Sequence, residues 1–282
     1  MLTPKPLVRA GAPLIESMPQ FGLLAELAGT WVGSGFNLIS LPAKGAAPPF
    51  RLKLNFTRET LHVNPISSPV PNRGLVHDDL FVFILPYFQQ VTDADSNEMI
   101  HVEPGLWMNV PETTPPSGNA SIVRQATILH GDSLLAQGRA FTVNGPPQIS
   151  PVSSRPVDHQ SGQAITDPAY LAQFTPRPLP GNVTQALIDN PNSSLINAIQ
   201  GRTIVETTVL EIATDSIGGI LNIPFIVANA NATDLKATFW IEEVLQPDNI
   251  SKFMQLQYTQ TVVLNFDGVD WPHISVATLL KM

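Results

Sequence analysis

Between Phe253 and Phe266 the chain alternates. Met254, Leu256, Tyr258, Val262, Leu264 and Phe266 fall on one face, and Gln255, Gln257, Thr259 and Thr261 on the other. A period of two sustained over that length specifies a β-strand with one face turned to a core. Asp267-Gly268 follows, and then a second strand-like run from Trp271 to Leu280. The pair reads as a hairpin, because both turn positions accept positive φ. The rhythm returns at Leu52 to Thr60, at Ile122 to Leu129 and at Leu134 to Val143, with His130-Gly131-Asp132-Ser133 as the turn between the last two. Ile204 to Ala213 is rich in β-branched residues and Lys236 to Val244 carries Phe239-Trp240-Ile241, so both are predicted strands.

About ten strands joined by tight turns predict an all-β chain, an antiparallel up-and-down β-barrel in preference to a sandwich. Closure also removes exposed strand edges, which a chain with only 13% charged residues would guard poorly. Its 27 prolines, roughly twice the usual ~5%, disfavour long helices. A short apolar stretch, Phe21 to Leu27, is predicted to make about two helical turns before Ala28-Gly29. Residues 144–201 break the strand rhythm: a proline-rich run leads into Asn182 to Gln200, helical in periodicity but interrupted at Asn190-Pro191. Ser193 or Ser194 is the expected cap of the second short helix and Gly201 its end. We read this segment as a partly helical insertion in one domain spanning 1–282, with barrel strands at about 29–143 and 202–282. Division into two β units is the alternative, but neither half shows an independent closure.

Composition excludes several functions. A net charge of −8 with only 15 Lys and Arg lacks the concentrated positive charge of a nucleic-acid or anionic-membrane surface. The absence of cysteine removes disulfides, thiolate metal sites and cysteine nucleophiles together. No run approaches the ~18 apolar residues of a membrane span. The first twenty residues hold no apolar stretch of secretory-signal length, so a cytoplasmic location is expected. There is no G-x-S-x-G elbow, no G-x-G-x-x-G, no phosphate-binding lysine motif and no H-E-x-x-H. Of the six histidines, His101 stands two residues from Glu103, on one face of a strand, and the two are candidate catalytic residues as an acid–base pair. The alternative is that they tie the Glu103-Pro104-Gly105 turn to a neighbouring strand. Trp31, Phe83, Tyr87, Trp107, Phe239, Trp240, Met254 and Tyr258 are spread over several strands. They either line a ligand cavity or fill the barrel completely.

Leu27-Ala28-Gly29-Thr30-Trp31-Val32-Gly33-Ser34-Gly35 resembles the G-x-W opening strand of lipocalin-type barrels, and more narrowly the G-T-W-x-G-x-G start of the nitrobindin-like haem-binding β-barrel family. Phe56-Thr57-Arg58-Glu59-Thr60, Leu85-Pro86-Tyr87-Phe88-Gln89 and His101-Val102-Glu103-Pro104-Gly105-Leu106-Trp107 resemble that family's next motifs, in its order. Trp271 to Lys281 is similar to its closing strand. The resemblance covers roughly residues 20–143 and 202–282. Residues 144–201 have no counterpart, the loop from Asn64 to Asp79 is enlarged, and Pro272 departs from a regular strand.

The resemblance implies ten antiparallel strands around an apolar cavity holding haem b. His273 would be the proximal iron ligand and so the metal-binding residue, and nitric oxide would bind opposite it. Trp31, Tyr87, His101, Trp107, Met254 and Tyr258 would line or support the cofactor, and the insertion would cover the mouth. The expected partner is a small hydrophobic ligand, with no nucleic acid and no membrane span. Two alternatives stay open: a haem-free carrier of fatty acid-like or isoprenoid-like molecules, and a haem-free enzyme acting on a hydrophobic substrate through His101 and Glu103.

Overall fold

A computed structural model describes residues 14–114, 117–176, 178–215 and 218–282. The strands are β1 (Gly29–Pro42), β2 (Phe50–Val63), β3 (Val70–Asn72), β4 (Leu80–Asp93), β5 (Met99–Val110), β6 (Ser121–Ile128), β7 (Asp132–Asn144), β8 (Val157–Asp158), β9 (Thr203–Ala213), β10 (Gly219–Asn222), β11 (Asn231–Leu245), β12 (Lys252–Phe266) and β13 (Val269–Lys281). Ten of them close into one antiparallel barrel in the order β1-β2-β4-β5-β6-β7-β9-β11-β12-β13, and β13 pairs back onto β1. That last pairing runs from Trp31 opposite Lys281 to Leu38 opposite Ile274, so the segments before and after the insertion build the same barrel. The turn at Asp267-Gly268 forms as its sequence requires, with φ of 55° and 68°. Pro272 stays in register opposite Val263, and its missing N–H falls beyond the last rung of the β1–β13 ladder.

One end of the barrel is plugged. The helical turns expected at Phe21 to Leu27 belong to a 3-10 helix, Met18–Leu27, which Gly22 breaks at φ 56°, ψ −142°. The three-residue period places Phe21, Leu24 and Leu27 on one face, and all three are buried in the core inside the barrel with Trp31, Trp107, Phe239 and Leu256. Trp31 Nε1 donates to Leu27 O at 2.8 Å and Lys281 Nζ to Glu26 O at 2.9 Å, which ties the plug to the first and last strands.

The insertion lies along the outside of the barrel. It contributes the short helices Pro168–Leu171, Gln185–Asp189 and Ser193–Ile199. With the 3-10 turn Ala172–Phe174, these bury Phe174, Leu187, Ile188 and Leu195 against Phe36, Leu38, Trp240, Ile274 and Val276 on the outer face of the wall, and so build a second core. The helix at Ser193 is preceded by Asn192, whose amide donates to Ser150 O at 2.8 Å instead of capping the helix. The serine caps expected there are absent, and Gly201, at φ 75°, follows the helix as expected.

This outer layer changes what the strand pattern means. Gln255 and Gln257, on the polar face of β12, point outward yet are fully buried. Gln257 Nε2 donates to Leu195 O at 3.1 Å and to Thr278 Oγ1 at 2.9 Å. On β2, Leu52, Leu54 and Phe56 face outward and pack against the second core, while Asn55, Thr57 and Glu59 face into the barrel.

Candidate functional site

At the end opposite the plug the barrel keeps a cavity of about 200 Å³. β1 supplies Asn37 and Ile39, β2 supplies Asn55, Thr57 and Glu59, β12 supplies Tyr258 and Gln260, and β13 supplies His273 and Ser275. His101, His130, Lys53, Leu41 and Ile100 complete the lining towards the mouth. Among the described residues of 144–201 none is part of it, and those in the second core brace the wall instead of covering the mouth. Ile39, Leu41, Val91, Ile100 and Phe239 give the cavity an apolar side among its polar groups.

Gly35 makes room for the deepest of these groups. A Cβ added there would stand 2.8 Å from both Glu59 Oε1 and Thr57 Oγ1, and 2.3 Å from Val276 O. The second glycine of the opening G-x-G is thus needed for close approach of a neighbouring strand and a buried carboxylate. Glu59 accepts from Tyr258 Oη at 2.5 Å, Thr57 Oγ1 at 2.8 Å and Gln89 Nε2 at 3.3 Å. Burial nonetheless holds its carboxyl above the usual range, against the lowering effect of those donors.

A second carboxylate, Glu103, sits beside this group with the opposite balance. Its Oε1 meets Arg124 Nη2 at 2.5 Å and accepts from Tyr87 Oη, and its Oε2 lies 3.0 Å from His101 Nε2. Burial alone would raise Glu103, but the Arg124 guanidinium and the donors from His101 and Tyr87 outweigh it and bring it down to about 2. Arg124 in turn donates from Nε to Tyr87 Oη at 2.8 Å and from Nη1 to Gln260 Oε1 at 2.7 Å. Its guanidinium carbon lies 5.6, 5.8 and 5.5 Å from the ring centroids of Tyr87, Trp107 and Phe239, so aromatic faces surround the buried cation.

His273 points inward from β13, and its accessible surface faces the cavity. Its Nε2 is 2.6 Å from Asn37 Oδ1, which also accepts from Ser275 Oγ at 3.0 Å. Burial pushes the imidazole down to about 3, so the ring is neutral and donates through Nε2–H. Asn55, opposite Asn37 in the β1–β2 pairing, is part of the same lining. It is 8% exposed, donates to Asp93, and has an Oδ1 with no hydrogen-bond partner.

Of the residues expected to hold a cofactor, His273, His101 and Tyr258 line the cavity together. Trp31, Tyr87 and Trp107 lie deeper in the packed core, and Met254 is partly buried against it. The catalytic candidates His101 and Glu103 are paired, with His101 on the cavity wall and Glu103 fully buried behind it. Asn37, Asn55, Glu59, Arg124 and Gln260 were not anticipated as site residues. Only the alternation of β2 carried a signal, since Lys53, Asn55, Thr57 and Glu59 share one face.

The residues present do not fit a haem. A cavity of about 200 Å³ falls below the ~300–1,000 Å³ of pockets that enclose drug-sized ligands. Polar side chains from several strands converge where the apolar faces of a macrocycle would lie, and Nε2 of His273 is taken up by Asn37. Among the described residues no three His, Asp or Glu side chains cluster as a metal site.

No protein-family profile and no curated protein matches the chain. Among solved structures, the crystal structure of Rv2717c from M. tuberculosis aligns over 97% of this chain and 99% of that chain, with a TM-score of 0.47 and 13% sequence identity. So distant a likeness bears on neither the residues of the site nor their use.

Proposed function

We propose that the barrel binds one small amphipathic molecule in this cavity, with its polar end among Asn55, His101 and His273 and its apolar part against Ile39, Val91 and Phe239. The observation that carries the reading is a cavity at the open end of the barrel with one apolar side, Ile39, Val91 and Phe239, together with polar side chains that include Asn55, His101 and His273. Apolar walls with a few placed polar groups are what hold and orient a small molecule in a pocket. The small volume selects short molecules, well below the size of a long-chain lipid or a porphyrin.

The test is a titration of primary alcohols from butanol to decanol, followed by amide and imidazole NMR signals. The expected result is saturable shifts at Asn55, His101 and His273, an affinity that peaks at one chain length, and loss of that affinity in Asn55→Leu. Absence of any saturable change at these residues across the series overturns the reading. A Soret band that saturates at one equivalent of hemin and disappears in His273→Ala would replace it with haem binding.

A second reading, acid–base catalysis on the bound molecule, is supported by the His101–Glu103 pair. A carboxylate at 3.0 Å orients the imidazole, the arrangement a general base needs. It separates from pure binding by turnover of the bound molecule, which pure binding does not produce and which is lost in His101→Gln.

A further inference from the structure

The polar groups of the cavity are not balanced between donors and acceptors. Gln260 Oε1 accepts from Arg124 Nη1 at 2.7 Å. A guanidinium can only donate, so the buried arginine fixes the Gln260 amide and leaves its Nε2 as the free end. Asn37 Oδ1 accepts from His273 Nε2 at 2.6 Å and from Ser275 Oγ at 3.0 Å, which leaves Asn37 Nδ2 free in the same way. Both Glu59 oxygens are taken, Oε1 by Thr57 and Oε2 by Tyr258 and Gln89. Among the described residues neither Asn37 Nδ2 nor Gln260 Nε2 has a hydrogen-bond partner, and both keep accessible surface in the lining.

Strand register puts these donors in one row. Asn37 on β1 stands opposite Ser275 on β13, and Ser275 opposite Gln260 on β12. On its other side Asn37 stands opposite Asn55 on β2, and Lys53 follows two residues away on the same inward face. Lys53 and Asn37 are thus diagonal cross-strand neighbours, ~7–8 Å apart and within reach of a long side chain.

Lys53 is half-buried, and among the described residues no carboxylate lies within ion-pair distance of its ammonium. The other charges near the cavity are matched. Glu103 is paired with Arg124, and Asp93 is taken up by Asn55 and by the backbone N–H groups of Asp95 and Ser96. Glu59 is the one acid in the lining, and burial disfavours its charged form. Burial also disfavours the charged forms of His130 and His273, and His101 faces Glu103. Lys53 is left as the unbalanced charge of the lining, beside two free amide donors. Hydrogen bonds from such donors to an ionised acceptor are the strong ones.

We infer that the ligand is a short-chain monocarboxylate, its oxygens received by Lys53, Asn37 Nδ2 and Gln260 Nε2 and its hydrocarbon chain lying against Ile39, Val91 and Phe239. One unbalanced cation answers one negative charge, and a dianion would leave a charge unmatched in a partly apolar cavity. The acceptors still free, His273 Nδ1 and Gln89 Oε1, are uncharged and give no counter-ion to an amine. The inference rests on the proposed binding function and names the class of its ligand.

The experiment titrates the full chain at neutral pH with the sodium salts of straight-chain acids from butanoate to octanoate, beside the alcohols of the same lengths. The best-fitting carboxylate is expected to bind at least tenfold more tightly than the alcohol of its length. Lys53→Met is expected to lower that preference at least tenfold, and Lys53→Arg to keep it. Lys53 has no partner to lose, so an unchanged urea midpoint in Lys53→Met separates lost recognition from a folding defect. Carboxylates that bind no more tightly than the alcohols, a preference that survives in Lys53→Met, or hexylammonium that binds wild type more tightly than hexanoate overturns the inference. In each of those cases saturable alcohol binding leaves the cavity reading standing. No saturable binding in either series overturns both.

Discussion

Arg124 on β6 and Glu103 on β5 form an ion pair of 2.5 Å inside the barrel, 2% and 0% exposed respectively. Each charge is held by the other and by Tyr87, so removal of one strands its partner in a medium that cannot solvate it. Arg124→Met is expected to lower unfolding free energy by about 3–5 kcal/mol in urea denaturation at pH 7. The double variant Glu103→Leu, Arg124→Met is expected to recover part of the loss, because no uncompensated charge is left. Because Glu103 is held at about 2, below its ordinary 4.5, its contribution is complete above pH 4.5 and fades as pH falls from there towards 2. Wild type therefore loses stability across that acid range, and Glu103→Gln shows a flatter profile in the same titration.

Gly35 supplies a second test, one that joins the fold to the site. The backbone oxygen of Val276 and the Glu59 and Thr57 side chains occupy the space a methyl group would need. Gly35→Ala is expected to destabilise by about 1–3 kcal/mol, as overpacking of a filled interior does, and to weaken alcohol binding through displacement of Glu59. Gly45→Ala is the control: no atom lies within 4 Å of the added carbon, although its φ of 83° adds strain of its own. A Gly35→Ala protein as stable as wild type would show that β1 and β13 separate without cost.

Strand identity was legible because a period of two is a local property of the chain, and Asp267-Gly268 announced its turn for the same reason. Facing was not. On β2 the pattern distinguishes Leu52, Leu54 and Phe56 from Lys53, Asn55, Thr57 and Glu59, but it is silent on which set turns inward once both faces are covered. The insertion settles that by packing Phe174 and Leu187 over the outer wall. The same covering explains why Gln255 and Gln257, polar and alternating, are buried.

The site was legible in part. His101 and Glu103 meet because i and i+2 share a face, which the sequence states directly. Arg124, the group that sets the charge of Glu103, comes from another strand, and cross-strand register is not written in local pattern. His273 was singled out by its place on the closing strand, whereas its partner Asn37 lies on β1 and meets it only because the barrel closes. Haem was inferred from the family motifs, but the polar side chains that converge on the cavity are scattered along the chain and their meeting could not be read from any one segment.

Glu242 is fully buried on the outer wall, with Oε2 accepting from Gln255 Nε2 and Oε1 without a partner. Burial pushes its carboxyl up to about 7, against the lowering effects of Gln255 and Arg202. A raised carboxyl favours the folded state below its ordinary value of 4.5, and that advantage is lost as pH rises through 7. Stability against thermal unfolding is therefore expected to fall between pH 4.5 and 7, by up to about 3 kcal/mol in all, and to level off above that. Glu242→Gln, which keeps the shape without the titration, should remove most of that slope. An unchanged slope in the variant would place the pH sensitivity elsewhere.

His273 gives a direct reading of the cavity wall. With its imidazole down at about 3 and Nε2–H donating to Asn37 Oδ1, the ring is expected to keep its neutral nitrogen shifts from pH 8 to pH 4. Because the folded value lies below the ordinary 6.5, the group favours folding above pH 6.5 and opposes it increasingly as pH falls from there towards 3. Nitrogen-detected NMR of labelled histidine reads both the tautomer and the titration. Asn37→Leu removes the acceptor, leaves the buried N–H unpaired, and is expected to destabilise by about 1–3 kcal/mol while altering the tautomer signal. A His273 signal that titrates near 6.5 in wild type would mean that the ring stands in water, and the cavity would then be an open cleft with no enclosed floor.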